Sequence, residues 1–443
     1  MKILFDEDAR EKIKKGINTC CDVVKVSLGH NGKNVLISNG QVVDIINDGV
    51  TIAKFVDSKD ETELAGIRLA QQCAAITDQN AGDGTTTTLV LLQSFLREFE
   101  GRIEQPRTLR KMVLDSVDKV IEKLEKSAKK VEQKDIENIA TTSSLSSDIG
   151  NMVAEIFKKL GTDAKITTDE TRYNVLESKV IEGYQFDSEN ANLYQENKEV
   201  FENCPVLVCD DKATHANVFP HIQALHKVNE TSLVVISKSI SKDLIGLATK
   251  YNANGQFRVG LVKNKEVNEE DLKAIGNKVK KVIITKENTT LIGGNGDLKS
   301  YIKKLKEKYD KEESTFQKEL LENRIAKLSS GVAVITVGAP TDVEREEKKL
   351  KVEDAINATK TSLKYGYVKG GGIALKEAGK GEFIESICNS IYDQICDNSE
   401  ESIKVGESVK DSLLTVKESL RSAASIATSL LTAEAALIEE NED

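Results

Sequence analysis

Residues 81–90 read AGDGTTTTLV, a glycine-flanked aspartate followed by four consecutive threonines. Leu64, Ile67, Ala70, Cys73, Ala74 and Ile76 recur at helical spacing before this stretch, and Leu89, Leu92, Phe95, Leu96 and Phe99 do so after it. The stretch is therefore a corner between two helices, and the second helix starts at the threonines. One side-chain oxygen can cap a helix start, because it accepts a hydrogen bond from an early unpaired N–H. Four threonines exceed that need. A helix N-terminus carries partial positive charge and binds phosphate readily. Glycine admits a ligand close to the backbone, threonine hydroxyls donate to phosphate oxygens, and Asp83 can hold the magnesium ion that accompanies a nucleotide. Taken alone, the stretch reads equally as an anion site and as a heavily capped turn.

A second stretch bears on that choice. In SLGHNGKNVLISNGQVVDIINDGV (27–50), the apolar run 35–37 and the run 42–46 flank Asn39-Gly40. Asn-Gly between such runs is a strong hairpin signal. A two-residue turn there sets Ser38 opposite Gln41, Gly32 opposite Asn47 and Asn31 opposite Asp48. The loop Gly29-His30-Asn31-Gly32 then lies beside a carboxylate, although each piece by itself is an ordinary turn. No G-x-x-x-x-G-K-[ST] occurs, since Gly32-Lys33 is followed by Asn34 and Gly379-Lys380 by Gly381. A P-loop ATPase is disfavoured.

At 443 residues the chain exceeds one ordinary core, so two or three domains are expected. Charged residues make up 30% and hydrophobic ones 39%, with four prolines, which suits a helix-rich folded protein. The net charge of −10 comes without a dominant basic stretch, which argues against nucleic acid or an anionic membrane as partner. No run of about 18 apolar residues offers a membrane span. Cysteines at 20, 21, 73, 204, 209, 388 and 396 include no C-x-x-C pair. With a charged helix following the first five residues and no signal sequence, reduced thiols in a cytosol-like compartment are expected.

Taken together, SLGHNGKNV, INDGVTIAK, NAGDGTTTT, EGYQFD, RIAKLSSGVAVITVG, VEDAINATK and GGGIAL appear in an order that resembles group I (GroEL-type) chaperonins. The resemblance runs almost from end to end and implies a multidomain chaperonin fold of α and α/β domains. A helical equatorial ATP-binding domain is expected at 1–128 with 365–443. A hinge domain is expected at 129–181 with 332–364, and a mixed α/β apical substrate-binding domain at 182–331. It implies ATP and Mg2+ as ligands, with K+ as a further ion, and Asp83 as the metal ligand. Gly84, Thr85, Thr86 and Thr87 correspond to phosphate contacts, and Ser27, Leu28 and Gly29 to a second phosphate loop in which His30 replaces the usual proline. Asp48 corresponds to the carboxylate beside the γ-phosphate. Asp354 corresponds to the catalytic aspartate that positions the attacking water. Its neighbours Val352, Ala355, Ile356 and Leu363 form an apolar stripe, and by pattern alone Asp354 is a solvated helix residue. Gly370 and Gly371, Ser143 and Ser144, and Asp411, eleven residues before SAAS at 422–425, complete the implied nucleotide contacts.

The departures are local. Between Gly372 and Asp411 the family has a longer segment whose hairpin contacts the adenine base, so base recognition loses its usual partners. A glycine-methionine tail is missing, and a short deletion near 97–106 falls where double rings touch. Residues 214–228 and 241–253 correspond to helices that bind unfolded chains and a co-chaperonin. Tyr194, Phe219, Ile222 and Ile245 keep apolar character, whereas Asn190, Gln195, Thr249 and Lys250 stand where apolar residues are expected. Phe219 and Ile222 read equally as core. Gly293-Gly294-Asn295-Gly296 reads as a turn, 303–314 as a solvated helix, and His215, His221 and His226 lack the spacing of metal ligands. The expectation is a cytoplasmic homo-oligomeric ring, in a bacterium or a virus-infected bacterial cell, that folds non-native client proteins with ATP. The alternative is a catalytically weak or inactive ring acting as a protein-binding scaffold.

Overall fold

A computed structural model describes residues 2–438 except 39–42, 163, 182, 193–197, 265–267, 287, 313, 315–316, 319, 322–323, 326–327, 329–330 and 400–404. Two compact units emerge. One comprises Met1–Asp163, Thr168–Glu177 and Thr336–Asp443, the other Ala164–Thr167 and Ser178–Ile335.

The first unit is helical. Helices Asp6–Val24, Glu61–Ala81, Thr85–Glu98, Pro106–Ser127 and Leu413–Leu431 each turn an apolar stripe inward, and Ile17, Ile67, Leu91, Phe95, Leu124 and Leu420 are fully buried in one core. Helix Thr85–Glu98 lies at its centre, packed on Glu61–Ala81, on Glu385–Ser399 and on Leu413–Leu431. Both ends of the chain therefore build this core. Of the stripe expected before the corner, Ile67, Ala70, Cys73 and Ala74 are core, whereas Ile76 is 38% exposed. Capping follows local chemistry: Asp60 accepts from the backbone N–H groups of Thr62 and Glu63 at 2.8 and 3.3 Å, and Pro106 opens its helix where no N–H is needed. Helices Gln133–Ser144, Ser147–Leu160 and Asp342–Tyr365 also belong to this unit.

Two small ribbons complete it. Lys2–Phe5 pairs antiparallel with Ala435–Ile438, and Val35–Ser38 with Val43–Ile46. The second is the expected hairpin in a different register. Ser38 faces Val43 instead of Gln41, so four residues, 39–42, connect the strands. The Asn39-Gly40 turn lies outside the described residues. A slip of two preserves which side chains share a face. It also removes the expected pairs Gly32–Asn47 and Asn31–Asp48; instead the Asn47 amide donates to Lys33 O at 3.2 Å and Asn34 Oδ1 at 3.1 Å.

The second unit is built on a seven-stranded mixed sheet of spatial order 183–187, 288–294, 278–285, 198–213, 232–240, 258–263 and 189–190. Strand Ser232–Ile240 is buried on both faces. Leu233 and Val235 join one apolar cluster with Val218, Ile222, Leu244 and Phe257, while Val234 and Ile236 join another with Phe201, Val282 and Leu305. Helices His215–Lys227 and Lys242–Asn254 connect the parallel strands and cover the first face. Gly293–Gly296 ends strand Asn288–Gly294 and leads into helix Leu298–Lys311, whose buried side is Leu305. His215 stacks on Phe219 at 5.0 Å between ring centres, and His226 packs on Phe257 at 4.8 Å. No helix among the described residues is long and apolar enough to cross a membrane.

Candidate nucleotide site

The corner forms where the spacing predicts it. Helix Glu61–Ala81 ends at Gly82 with φ 68°, and helix Thr85–Glu98 starts at Gly84 with φ 90°. Both values are left-handed and favour glycine. At Gly84 packing adds a second reason: a Cβ would lie 2.5 Å from Thr415 Cγ2 and 2.9 Å from Ser419 Oγ. Between the two glycines, the Asp83 carboxylate accepts from Gly84 N–H at 2.6 Å and from the Ser143 hydroxyl at 3.2 Å.

The four threonines divide their work. Thr85, Thr86 and Thr87 line a cavity of about 650 Å3. Thr88 is fully buried, with its hydroxyl 2.9 Å from both the Gly84 carbonyl and the Thr77 hydroxyl. Three hydroxyl residues face the cavity and one secures the corner.

The same cavity is lined by Ser27, Leu28, Gly29, Asp48, Asp83, Gly84, Ser143, Ser144, Asp354, Gly371 and Asp411. Segments hundreds of residues apart thus converge within the first unit. Asp48 also accepts from Thr51 N–H at 2.7 Å, capping helix Gly49–Phe55. The hydroxyls of Ser27 and Ser144 donate inward, to Val24 O at 2.8 Å and Ala140 O at 2.7 Å. Gly370 departs from expectation, since it stands behind the wall. A Cβ there would come within 2.8 Å of Asp411 Oδ1, so it makes room for that carboxylate, which also accepts from Gly371 N–H at 3.2 Å. Asp354 is no solvated helix residue: Val352, Ala355 and Ile356 bury the opposite side of helix Asp342–Tyr365 and leave Asp354 on the cavity wall.

The electrostatics are unbalanced. Burial, with the charges of Asp411 and Asp78 nearby, pushes Asp83 up to about 7 against the pull of the Gly84 N–H and the Ser143 hydroxyl. Asp83 touches the cavity, yet protein surrounds it closely enough to strip most of its hydration. Burial pushes Asp411 up to about 6. Asp354 stands well above the ordinary carboxylate value, through burial and then through Asp83, Asp48 and Asp78. None of Asp48, Asp83, Asp354 and Asp411 has an ion-pair partner among the described residues, while the lysines on the wall are engaged elsewhere. Lys351 pairs with Glu347 at 2.6 Å, Lys369 with Glu377 at 2.7 Å and Lys410 with Asp135 at 2.5 Å. Such a cavity favours added positive charge. Among the described residues no three His, Cys, Asp or Glu side chains converge as a complete metal cage. Magnesium that shares its coordination with nucleotide phosphates needs only one or two carboxylates, which Asp83 fits.

The TCP-1/cpn60 chaperonin family model matches residues 21–381. The chain belongs to the chaperonin family. Its fold is similar to that of the chaperonin gp146 from bacteriophage EL 2 (Pseudomonas aeruginosa), crystallised in the presence of ATP-BeFx. Two crystal forms align over 100% of both chains, with a TM-score of 0.67 at 18% identity and of 0.64 at 19% identity.

In this chaperonin the residues expected to hold unfolded protein are differently placed from one another. Ile222 is 0% exposed, in the core with Leu233, Leu244 and Phe257, because it falls on the inward side of its helix. It presents no surface. Phe219 and Ile245 are half-buried, and Tyr194 and Gln195 lie outside the described residues. Asn190 is buried, where its amide donates to Glu199 at 2.6 Å; Thr249 bonds back to Ile245 O at 2.9 Å, and Lys250 is exposed. Sequence reasoning passed over Lys351, Thr142, Val405 and Ser408, which also line the cavity. Lys351 stands one helical turn before Asp354, a spacing that could have flagged it. Val405 and Ser408 occupy the shortened stretch and carry no such signal.

Proposed function

We propose that this chaperonin is a Mg2+-dependent ATPase that assembles into a homo-oligomeric ring and folds non-native proteins. The observation that carries this reading is the convergence of Asp48, Asp83 and Asp354 with Gly84–Thr87 on one cavity. The N–H groups opening helix Thr85–Glu98, with the hydroxyls of Thr85, Thr86 and Thr87, bind phosphate oxygens. Asp411, steadied by Gly371, receives the ribose. Asp83 would hold the magnesium ion, which would supply positive charge to the nucleotide phosphates. Asp354 accepts a hydrogen bond from the attacking water and aligns it with the γ-phosphorus, and its raised affinity for protons suits that role. Positioning and electrostatics supply most of the catalysis in such transfers.

Ring assembly draws support from the two ribbons. Ile3 faces Leu437 across one and Leu36 faces Ile45 across the other, and these side chains are 52%, 67%, 69% and 45% exposed. A two-stranded ribbon with an exposed apolar pair and open edges gains stability from further strands, which copies of the chain can supply. We read 1–128 with 365–443 as equatorial, 129–181 with 332–364 as the hinge and 182–331 as apical. Phe219 and Ile245 are the described residues suited to capture. The burial of Ile222 and Asn190 favours a second reading, a weakly active ring that serves as a protein scaffold. Refolding separates the two. A chemically denatured client should recover activity with the protein, ATP and Mg2+ but not without nucleotide, and equal recovery in both cases would favour the scaffold.

A further inference from the structure

Helix Glu385–Ser399 lies in the stretch where the chain is shorter than the family pattern, and the nucleotide reading gives it no role. Its Ile391 and Ile395 line the cavity, and its last turn holds the adjoining loop from behind. The Asn398 amide nitrogen donates to Lys25 O and to Leu28 O, both at 2.9 Å, and its Oδ1 accepts from the Gln394 amide at 2.9 Å. One side chain thereby uses both its N–H bonds on one loop and is itself held by the preceding turn.

That loop is closed by a few backbone bonds of its own, Lys33 N–H to Val26 O at 2.7 Å and Gly32 N–H to Gly29 O at 2.9 Å among them. Lys25–Ser27 is a single turn closed by Leu28 N–H to Lys25 O at 3.2 Å, and Gly29 follows at φ 87°. The Leu28 carbonyl and the second acceptor position of Lys25 O take their donor from outside the turn, from Asn398. Ile395, one turn before Asn398, fills the space beneath Gly29, where a Cβ would lie 3.2 Å from Ile395 Cγ2. The same helix backs a second part of the wall: a Cβ on Gly372 would come within 2.8 Å of Tyr392 N and 3.0 Å of Ile391 Cγ2. A rigid helix thus sets two loops whose residues face the cavity.

We propose that Asn398 is a positioning residue that fixes loop 27–29 at the height needed to meet nucleotide phosphate. This rests on reading the cavity as an ATP site. Asn398→Leu removes both donors at similar volume, and Asn398→Asp points a carboxylate at two carbonyl oxygens. Titration calorimetry on the full chain, with MgATP and separately with adenosine, reads the effect.

The expected loss of ATP affinity is about tenfold for Asn398→Leu, the worth of one or two hydrogen bonds, and larger for Asn398→Asp. Adenosine, which has no phosphate, should bind each variant as it binds wild type, even where losing the two carbonyl contacts lowers the ligand-free midpoint. Gln394→Ala removes only the group that orients Asn398 and should give a smaller loss in the same direction; it carries the test if the Asn398 variants do not fold. Unchanged ATP affinity would overturn the proposal. So would parallel losses for ATP and adenosine, since they mark a merely structural role. A wild-type protein that binds neither ligand would overturn the nucleotide reading itself, and this inference with it.

Discussion

The carboxylates on the first unit's cavity are treated differently from the buried carboxylates of the second. Among the described residues of the second, Glu199 and Asp271 are each answered by the protein. Glu199 accepts from Asn190 and Asn192, and Asp271, which burial pushes upward, accepts from Arg324 Nε at 2.7 and 3.0 Å. Arg324 also donates to the Tyr301 hydroxyl at 2.6 Å, so the charge is locked into a network. In the first, Asp135 is likewise paired with Lys410, but Asp83, Asp354 and Asp411 face a cavity without a paired cation among the described residues, and burial raises all three. A charge that the fold has already answered serves stability, whereas one left unanswered costs stability until a ligand arrives. The first unit therefore holds an electrostatic deficit that magnesium and nucleotide can fill.

Asp354→Ala tests the contrast most strongly. Hydrolysis should fall by about 10²–10⁴, the range for losing a group that handles the reacting proton, while ATP still binds. The ligand-free protein should melt higher, because a repelled carboxylate has gone. In the second unit removal has the opposite sign. Ile222→Ser should cost roughly 2–5 kcal/mol in denaturant melts, as a large-to-small change in a closed core. Phe219→Ser should cost clearly less and weaken capture of a denatured client. Equal losses from the two variants would make Phe219 core as well.

Arg324→Met leaves Asp271 buried without its cation and should destabilise the second unit by about 3 kcal/mol. Arg324→Met combined with Asp271→Asn should recover part of that loss. A single variant as stable as wild type would show that the network contributes nothing. The pH response is the smallest expected effect. A carboxyl group whose proton is held more tightly in the folded state stabilises the fold below its unfolded value. That contribution is lost as pH rises through the folded value. With Asp411 at about 6 and Asp83 at about 7, both raised from an ordinary value of 3.8, the ligand-free first unit should lose stability as pH rises from about 4 to about 7. Saturating MgATP should flatten the trend. Melts at several pH values check it, and a rising ligand-free midpoint over the same window would contradict it.

The cavity was largely legible because its chemistry restricts both residue type and local geometry. Asp83 between two glycines, and three threonines at a helix start, can be recognised in a linear chain, and the corner lies where the helical stripes predict. The placement of the expected client-binding residues was not legible in the same way. Ile222 and Phe219 sit three residues apart on one helix with similar hydrophobicity, and only the sheet beneath decides that Ile222 is core. Hairpin strands were legible but their register was not, since a four-residue connection leaves the same alternation as a two-residue turn. Gly370 and Asn398 show a further limit. Both act on the cavity from behind it, through a carboxylate and two carbonyls, and nothing in their neighbours' identities signals that.

The most direct test of an ATPase in the first unit is phosphate release by the wild-type protein from ATP, with and without Mg2+. The account predicts turnover that requires Mg2+ and disappears when the metal is chelated. Assembled protein that binds ATP yet releases no phosphate in either condition would contradict it and leave the scaffold reading in its place.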